Sequence, residues 1–189
     1  RYLSSAASDV YKRQGRDVVV IGGGDTAMDC VRTAIRQKAN SVTCLYRRDR
    51  ANMPGSRREV ANAEEEGVDF RWLSAPQAFL GDNHVRAVKA QKIHLGQPDA
   101  TGRQVPQIIE DSSHEIPADL VIKALGFDPE DIPIMFGAPE LEVSKWGTIG
   151  VDWRTMMTNL PGVFAAGDIV RGASLVVWGV RCLLYTSDA

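Results

Sequence analysis

The stretch VVVIGGGDTAMDC, residues 18–30, constrains this chain more than any other. Asp17–Ile21 reads as a strand, apolar without a break from Val18. Such a run suits a strand covered on both faces, as in a parallel sheet. Three glycines follow, and then the spacing changes. Ala27, Cys30, Val31, Ala34 and Ile35 recur at helical intervals, with Arg32, Arg36 and Lys38 on the other side. An amphipathic helix over 26–38 is predicted. Ser41–Tyr46 (SVTCLY) then reads as a second strand. Strand, glycine turn, helix and strand together make one β-α-β unit.

Gly22, Gly24 and Ala27 form a GxGxxA pattern in that context. The first glycine permits a tight turn, and the second lets backbone approach a diphosphate. The small third residue lets helix and strand pack closely. The helix N-terminus adds unpaired amides and a partial positive charge. The alternative is an ordinary strand-to-helix turn that holds nothing. Asp25 is awkward beside an anion and is expected to cap the helix amides from the side.

The end of the second strand bears on which nucleotide such a turn would hold. A site for NAD carries an acid about 20 residues past the motif, to bind the ribose 2′-hydroxyl. Here that position is Arg47, followed by Arg48, and the nearest acid is Asp49. Guanidinium forks suit a phosphate dianion, so the residues favour NADPH over NADH. A solvated basic face is the alternative for Arg47 and Arg48, and it is the expected reading for Arg50, Arg57 and Arg58.

A second informative stretch is NLPGVFAAGDIVRGASLVVWGVR, residues 159–181. A strand ending at Gly167-Asp168 and a helix starting near Ser174 are predicted. An aspartate there can accept a hydrogen bond from a ribityl hydroxyl while the next helix N-terminus faces a diphosphate. ALGFDP, with Gly126, precedes it at the end of an expected buried strand over 119–125.

Between these stretches, Ser56 and Glu59 form a predicted capping box, opening a helix that stops at Gly67. Strands are expected over 68–73 and 85–95. Residues 96–114 read as turn-rich and polar, 127–146 as mostly loop, and GTIGVD and GVFAAGD as two short strands. The expected fold class is α/β: a Rossmann-like nucleotide-binding domain with a parallel sheet and a small antiparallel meander, plus part of an FAD-binding domain.

Net charge over the 189 residues is −2, which gives no general attraction to nucleic acid or a membrane surface. No apolar run is long enough to cross a bilayer, and no export signal is expected. A cytoplasmic setting is expected. Cys30, Cys44 and Cys182 contain no CxxC pair; Cys30 and Cys44 fall in apolar segments and read as buried, inert thiols. His84, His94 and His114 lie in turns or polar strands and are expected to be exposed. No catalytic side chain and no metal site are expected. Residues 1–14 and 182–189 do not continue the patterning of their neighbours. They are expected to be foreign to the natural protein, or else disordered native termini.

GGGDTAMD, LYRRDRANMPGSRREVANAEEEG, PADLVIKALGFDP, FGAPELEV and RTMMTNLPGVFAAGDIVRGASLVVW together resemble the small (β) subunit family of bacterial NADPH-dependent glutamate synthases. The resemblance covers about residues 15–181. It implies an NADPH-binding domain over 15–143 and the C-terminal return of an FAD-binding domain over 144–181. It implies NADPH and FAD as cofactors, hydride transfer from nicotinamide to flavin, and a glutamate-forming large (α) subunit as partner. Gly22, Gly24, Thr26 and Ala27 match the family's NADPH diphosphate turn, and Arg47 and Arg48 its 2′-phosphate site. Gly167 and Asp168 match the flavin-binding GD motif, with Ser174, Leu175 and Val176 beside the flavin. The family's upstream FAD turn and its 4Fe–4S cysteine clusters are not in this sequence, so the chain reads as a fragment. A ferredoxin-type or dihydropyrimidine dehydrogenase-like subunit is the related alternative, and an isolated nucleotide-binding module is another. A thioredoxin-reductase-like enzyme would need a CxxC.

Overall fold

The structure is a computed structural model that describes residues 14–98, 104–126 and 128–186. The expected foreign N-terminus lies almost entirely outside those residues, as do 187–189. Two units are formed, one ending at Leu125 and the other beginning at Gly126.

In the first unit, β1 (Asp17–Ile21), α1 (Asp25–Arg36) and β2 (Ser41–Leu45) build the expected β-α-β element. Next come α2 (Arg57–Glu65) and the short strand β3 (Asp69–Arg71). A meander of β4 (Ser74–Leu80), β5 (Ala87–Pro98), β6 (Gln104–Ile108) and β7 (His114–Pro117) precedes β8 (Leu120–Lys123). β1 pairs in parallel with β2 on one side and β8 on the other, giving a sheet of order β3-β2-β1-β8. β4, β6 and β7 all pair antiparallel with the long β5.

Both faces of the parallel sheet are covered, which is why β1 is apolar at every position from 18 to 21. Val18, Val20, Val42 and Cys44 pack against Ala27, Met28, Val31 and Ala34 of α1 and Val60 and Ala63 of α2. Val19, Ile21 and Leu45 face the meander, where Val88, Ala90, Ile116 and Ala118 close the second core. Each fully buried Val or Met side chain contributes about 1.5–3 kcal/mol through apolar burial. The meander therefore does the work on this face that a crossover helix does in other parallel sheets.

β4, β6 and β7 were not expected from the residues. SAPQAFL and QVPQI hold a proline each and are largely exposed; their pairing comes from β5, not from local pattern. The expected buried strand near 119–125 is shorter and only half-buried. It lies at the edge of its sheet, with a neighbour on one side alone.

The second unit has little regular structure. It contains α3 (Ile132–Met135), α4 (Asp168–Arg171) and α5 (Val176–Thr186). The two short strands expected at 147–152 and 162–168 reduce to isolated bridges, Val143 with Ile149 and Met157 with Phe164. Its buried cluster is Met156, Val170 and Cys182, so the last cysteine is a core side chain on α5.

Candidate functional site

Each glycine of the turn after β1 answers a different demand. Gly22 has φ +146°, and a Cβ on it would collide with the Ala124 carbonyl at the end of β8. Its amide donates to the Leu45 carbonyl at 3.1 Å, locking the turn to the end of β2. Gly23 lies against the Tyr46 ring, where a Cβ would overlap the ring carbons. A Cβ on Gly24, by contrast, would meet nothing within 4 Å. The face of the turn at Gly24 is open, and this is where a ligand can approach backbone.

The amides lead to the same place. Gly24 is the N-cap of α1, and its carbonyl accepts from Ala27 at 2.9 Å and Met28 at 3.2 Å. Among the described residues, no acceptor faces the amides of Gly23, Gly24, Asp25 and Thr26. Thr26 is exposed, while Ala27 is fully buried against β1, as a close helix–strand contact requires. A twelve-residue helix thus begins at an open glycine with four unsatisfied donors, a favourable setting for an anion.

The expected side-on cap by Asp25 is not made. α1 has no side-chain cap; the Asp25 carboxylate instead accepts from the Ser56 amide at 3.0 Å. The expected capping box at Ser56 and Glu59 is not formed either. Glu59 is drawn to Arg32 of α1, and Glu66 takes Arg32 at 2.7 Å and Arg36 at 2.8 Å. Ion pairing between helices outcompetes the local cap. The Arg32 guanidinium, and then that of Arg36, hold the Glu66 carboxyl below its ordinary value.

Arg47 and Arg48 follow β2, whose last residue Leu45 is in register with Ile21 of β1. The two strand ends, and the loops leaving them, therefore lie side by side. Among the described residues, no carboxylate pairs with either arginine. Arg48 Nε is buried without a hydrogen-bond partner. Arg50 differs, since Glu64 binds it at 2.8 Å. Arg57 and Arg58 are exposed at the start of α2. Asp49 is occupied as well: its Oδ1 accepts from the Asn52 amide and from Asn52 Nδ2, each at 2.8 Å.

The thiol beneath the turn is inert. Cys44 is buried, its Sγ donates to the Gly22 carbonyl at 3.5 Å, and burial pushes its pKa up to about 12. Burial also raises the Tyr46 phenol, with the positive Arg48 and Arg47 opposing. His84 and His94 are exposed, as expected, and His114 is half-buried with its Nδ1 near the Ser112 carbonyl at 3.2 Å. Among the described residues, no group of His, Cys, Asp or Glu side chains could hold a metal ion.

In the second unit, Gly167 has φ +84° and is the N-cap of α4, so Asp168 opens a helix instead of ending a strand. Asp168 Oδ1 accepts from the Ser174 amide at 3.3 Å, bringing these two predicted residues together. Leu175 and Val176 follow, exposed, with α5 beginning at Val176. Gly126 has φ +89° with open space where a side chain would be. Arg171 lies between the Trp153 and Trp178 rings, 4.8 and 5.1 Å from their centroids. Sequence reasoning missed Gly23, Gly55 and Tyr46, whose roles depend on contacts between distant segments.

A family model described as pyridine nucleotide-disulphide oxidoreductase matches residues 1–181. The chain belongs to that family. Within it, the chain is 70% identical over 167 residues to the glutamate synthase [NADPH] small chain of Azospirillum brasilense, covering 88% of this chain and 35% of that one. It is 48% identical over 173 residues to the protein of the same name from Escherichia coli, covering 88% and 36%. The chain thus spans little more than a third of the length of these two relatives. A solved thioredoxin reductase from T. acidophilum shares the fold, with a TM-score of 0.73 at 22% identity over 96% of this chain and 55% of that one. The expected fold class and the family resemblance both stand. Among the described residues, no helix is long and apolar enough to cross a membrane.

Proposed function

We propose that residues 15–143 bind NADPH, and that 144–181 belong to a flavin-binding domain of a glutamate synthase small subunit. In this reading, Gly22, Gly24, Thr26 and Ala27 form the diphosphate turn, and Arg47 and Arg48 take the 2′-phosphate. Gly126 is a further cofactor-binding residue, and Gly167, Asp168, Ser174, Leu175 and Val176 belong to the flavin side. NADPH supplies a hydride for FAD, and the electrons serve a glutamate-forming large subunit. The chain's own part is to bind and orient, because its amides and guanidiniums supply charge complementarity and no acid–base pair is needed.

One observation carries the nucleotide choice: among the described residues Arg47 and Arg48 have no acidic partner, while Asp49, the carboxylate of the loop itself, is committed to Asn52. A ribose 2′-hydroxyl would find no free acid at this strand end, whereas a phosphate dianion would find two guanidiniums. The high identity to two NADPH-named small chains supports the same reading. Titration with NADPH and NADH tests it. A clear preference for NADPH that weakens with added salt is expected, because the deciding contact is ionic. Equal affinity for both nucleotides would refute the reading.

A further inference from the structure

Asp25 presents a problem that the nucleotide reading leaves open. A carboxylate beside a diphosphate turn repels any nucleotide, and this one does not cap its own helix. Its structural partner lies 31 residues away, at the amide of Ser56. One residue earlier, the Gly55 amide donates to the Gly23 carbonyl at 2.9 Å. Gly55 is buried, and a Cβ there would lie 3.0 Å from that carbonyl, so the approach depends on glycine. The two hydrogen bonds strap the far end of the 46–56 loop to the glycine turn.

The near end of the same loop carries Arg47 and Arg48. It too is held: the Leu73 amide donates to the Arg48 carbonyl at 3.0 Å, and Tyr46 Oη donates to the Asn52 carbonyl at 3.0 Å. The loop is therefore fixed at both ends and braced in the middle by Asp49 and Asn52. Ser56 is also the N-cap of α2 and makes no side-chain cap of its own. The Asp25 carboxylate supplies the negative charge that this helix start favours.

We infer that Asp25 is a positioning residue: by bonding the Ser56 amide it holds the arginine loop in register with the glycine turn, and so sets the preference for a nucleotide bearing a 2′-phosphate. The inference rests on the NADPH reading above for its consequence, though not for the strap itself.

The 189-residue chain, Asp25→Ala and Asp25→Asn are compared by titration with NADPH and NADH and by amide hydrogen exchange without nucleotide. Asn keeps an oxygen that can accept from Ser56; Ala does not. Asp25→Ala should weaken NADPH binding roughly tenfold and change NADH binding by less than about twofold, the scale of one lost charged hydrogen bond. Asp25→Asn should restore most of the selectivity. Amides within 46–56 should exchange faster in Asp25→Ala than in wild type or Asp25→Asn. An unchanged NADPH/NADH ratio in Asp25→Ala would overturn the inference. So would tighter binding of both nucleotides in both variants, which would mean that the carboxylate acts only by its charge on the diphosphate. Wild type without a preference for NADPH would sink the functional reading and with it the consequence for selectivity, whereas unchanged exchange in 46–56 with the wild-type preference intact would overturn the strap and so the inference while leaving the functional reading in place.

Discussion

Two glycine-led helix starts carry the functional reading, and they are built differently. The turn at Gly22–Ala27 rises from a fully buried strand and opens a helix of twelve residues. Ala124 and Leu45 hold it at Gly22, and Tyr46 and Gly55 at Gly23, while a side chain on Gly24 would meet nothing within 4 Å. The turn at Gly167–Asp168 opens a helix of four residues, and a side chain on Gly167 would meet nothing within 4 Å. Before and after it in the chain, Phe164, Leu175, Val176 and Val177 are exposed. The same residue pattern, Gly followed by Asp at a helix start, is a rigid fixture in one unit and an open edge in the other. What makes a phosphate-sized turn dependable is therefore the layer behind it.

The largest difference should appear on replacing the glycines. Gly22→Ala meets a backbone carbonyl and an unfavourable φ together, so a loss of about 2–6 kcal/mol is expected from overpacking and strain. Gly167→Ala carries the conformational cost alone, about 1–3 kcal/mol. Denaturant unfolding of the two variants checks this, and equal losses would remove the contrast. Next in size is the core behind each turn. Met28→Ala should cost about 2–5 kcal/mol, because Met28 is fully buried between α1 and the sheet. Cys182→Ala, in the three-residue cluster of the second unit, should cost about 1 kcal/mol by its smaller volume.

A third measurement sharpens the functional side of the comparison. Arg47→Ala combined with Arg48→Ala should cost about 1–3 kcal/mol in NADPH affinity, with NADH affinity nearly unchanged. Calorimetric titration of both nucleotides reads this directly. If discrimination survives, the phosphate must be held elsewhere in the chain.

The smallest effect concerns acid stability of the first unit. Glu66 has its carboxyl held below the ordinary value of 4.5 by Arg32 and Arg36. A depressed carboxylate stabilises the fold above its unfolded pKa, and that contribution is lost as pH falls through the lower folded value. Melting temperature should therefore drop more steeply below about pH 4.5 in wild type than in Glu66→Gln. Parallel slopes would show that the Arg32–Glu66–Arg36 cluster does not tie α1 to α2.

Much of the first unit was legible because its signals are local. β1, α1 and β2 follow from an apolar run, a glycine turn and a helical repeat, each read within a dozen residues. Gly22, Gly24 and Ala27 could be placed at the strand-to-helix turn for the same reason. The meander was less legible, since Ser74–Leu80 and Gln104–Ile108 hold prolines and polar residues and become strands only by pairing with β5. Long-range hydrogen bonds there outweigh weak β-propensity.

The residues alone determined that a strand, an open glycine turn and a helix would come in that order, with two guanidiniums at the next strand end. Steric rules and side-chain period act between near neighbours, so they are written in the chain itself. Only tertiary structure decided the partners: Asp25 with Ser56, Gly23 with Tyr46 and Gly55, and Glu59 with Arg32 in place of its own helix cap. Those choices are competitions among groups that meet only when the strands align, and no local pattern records which group wins.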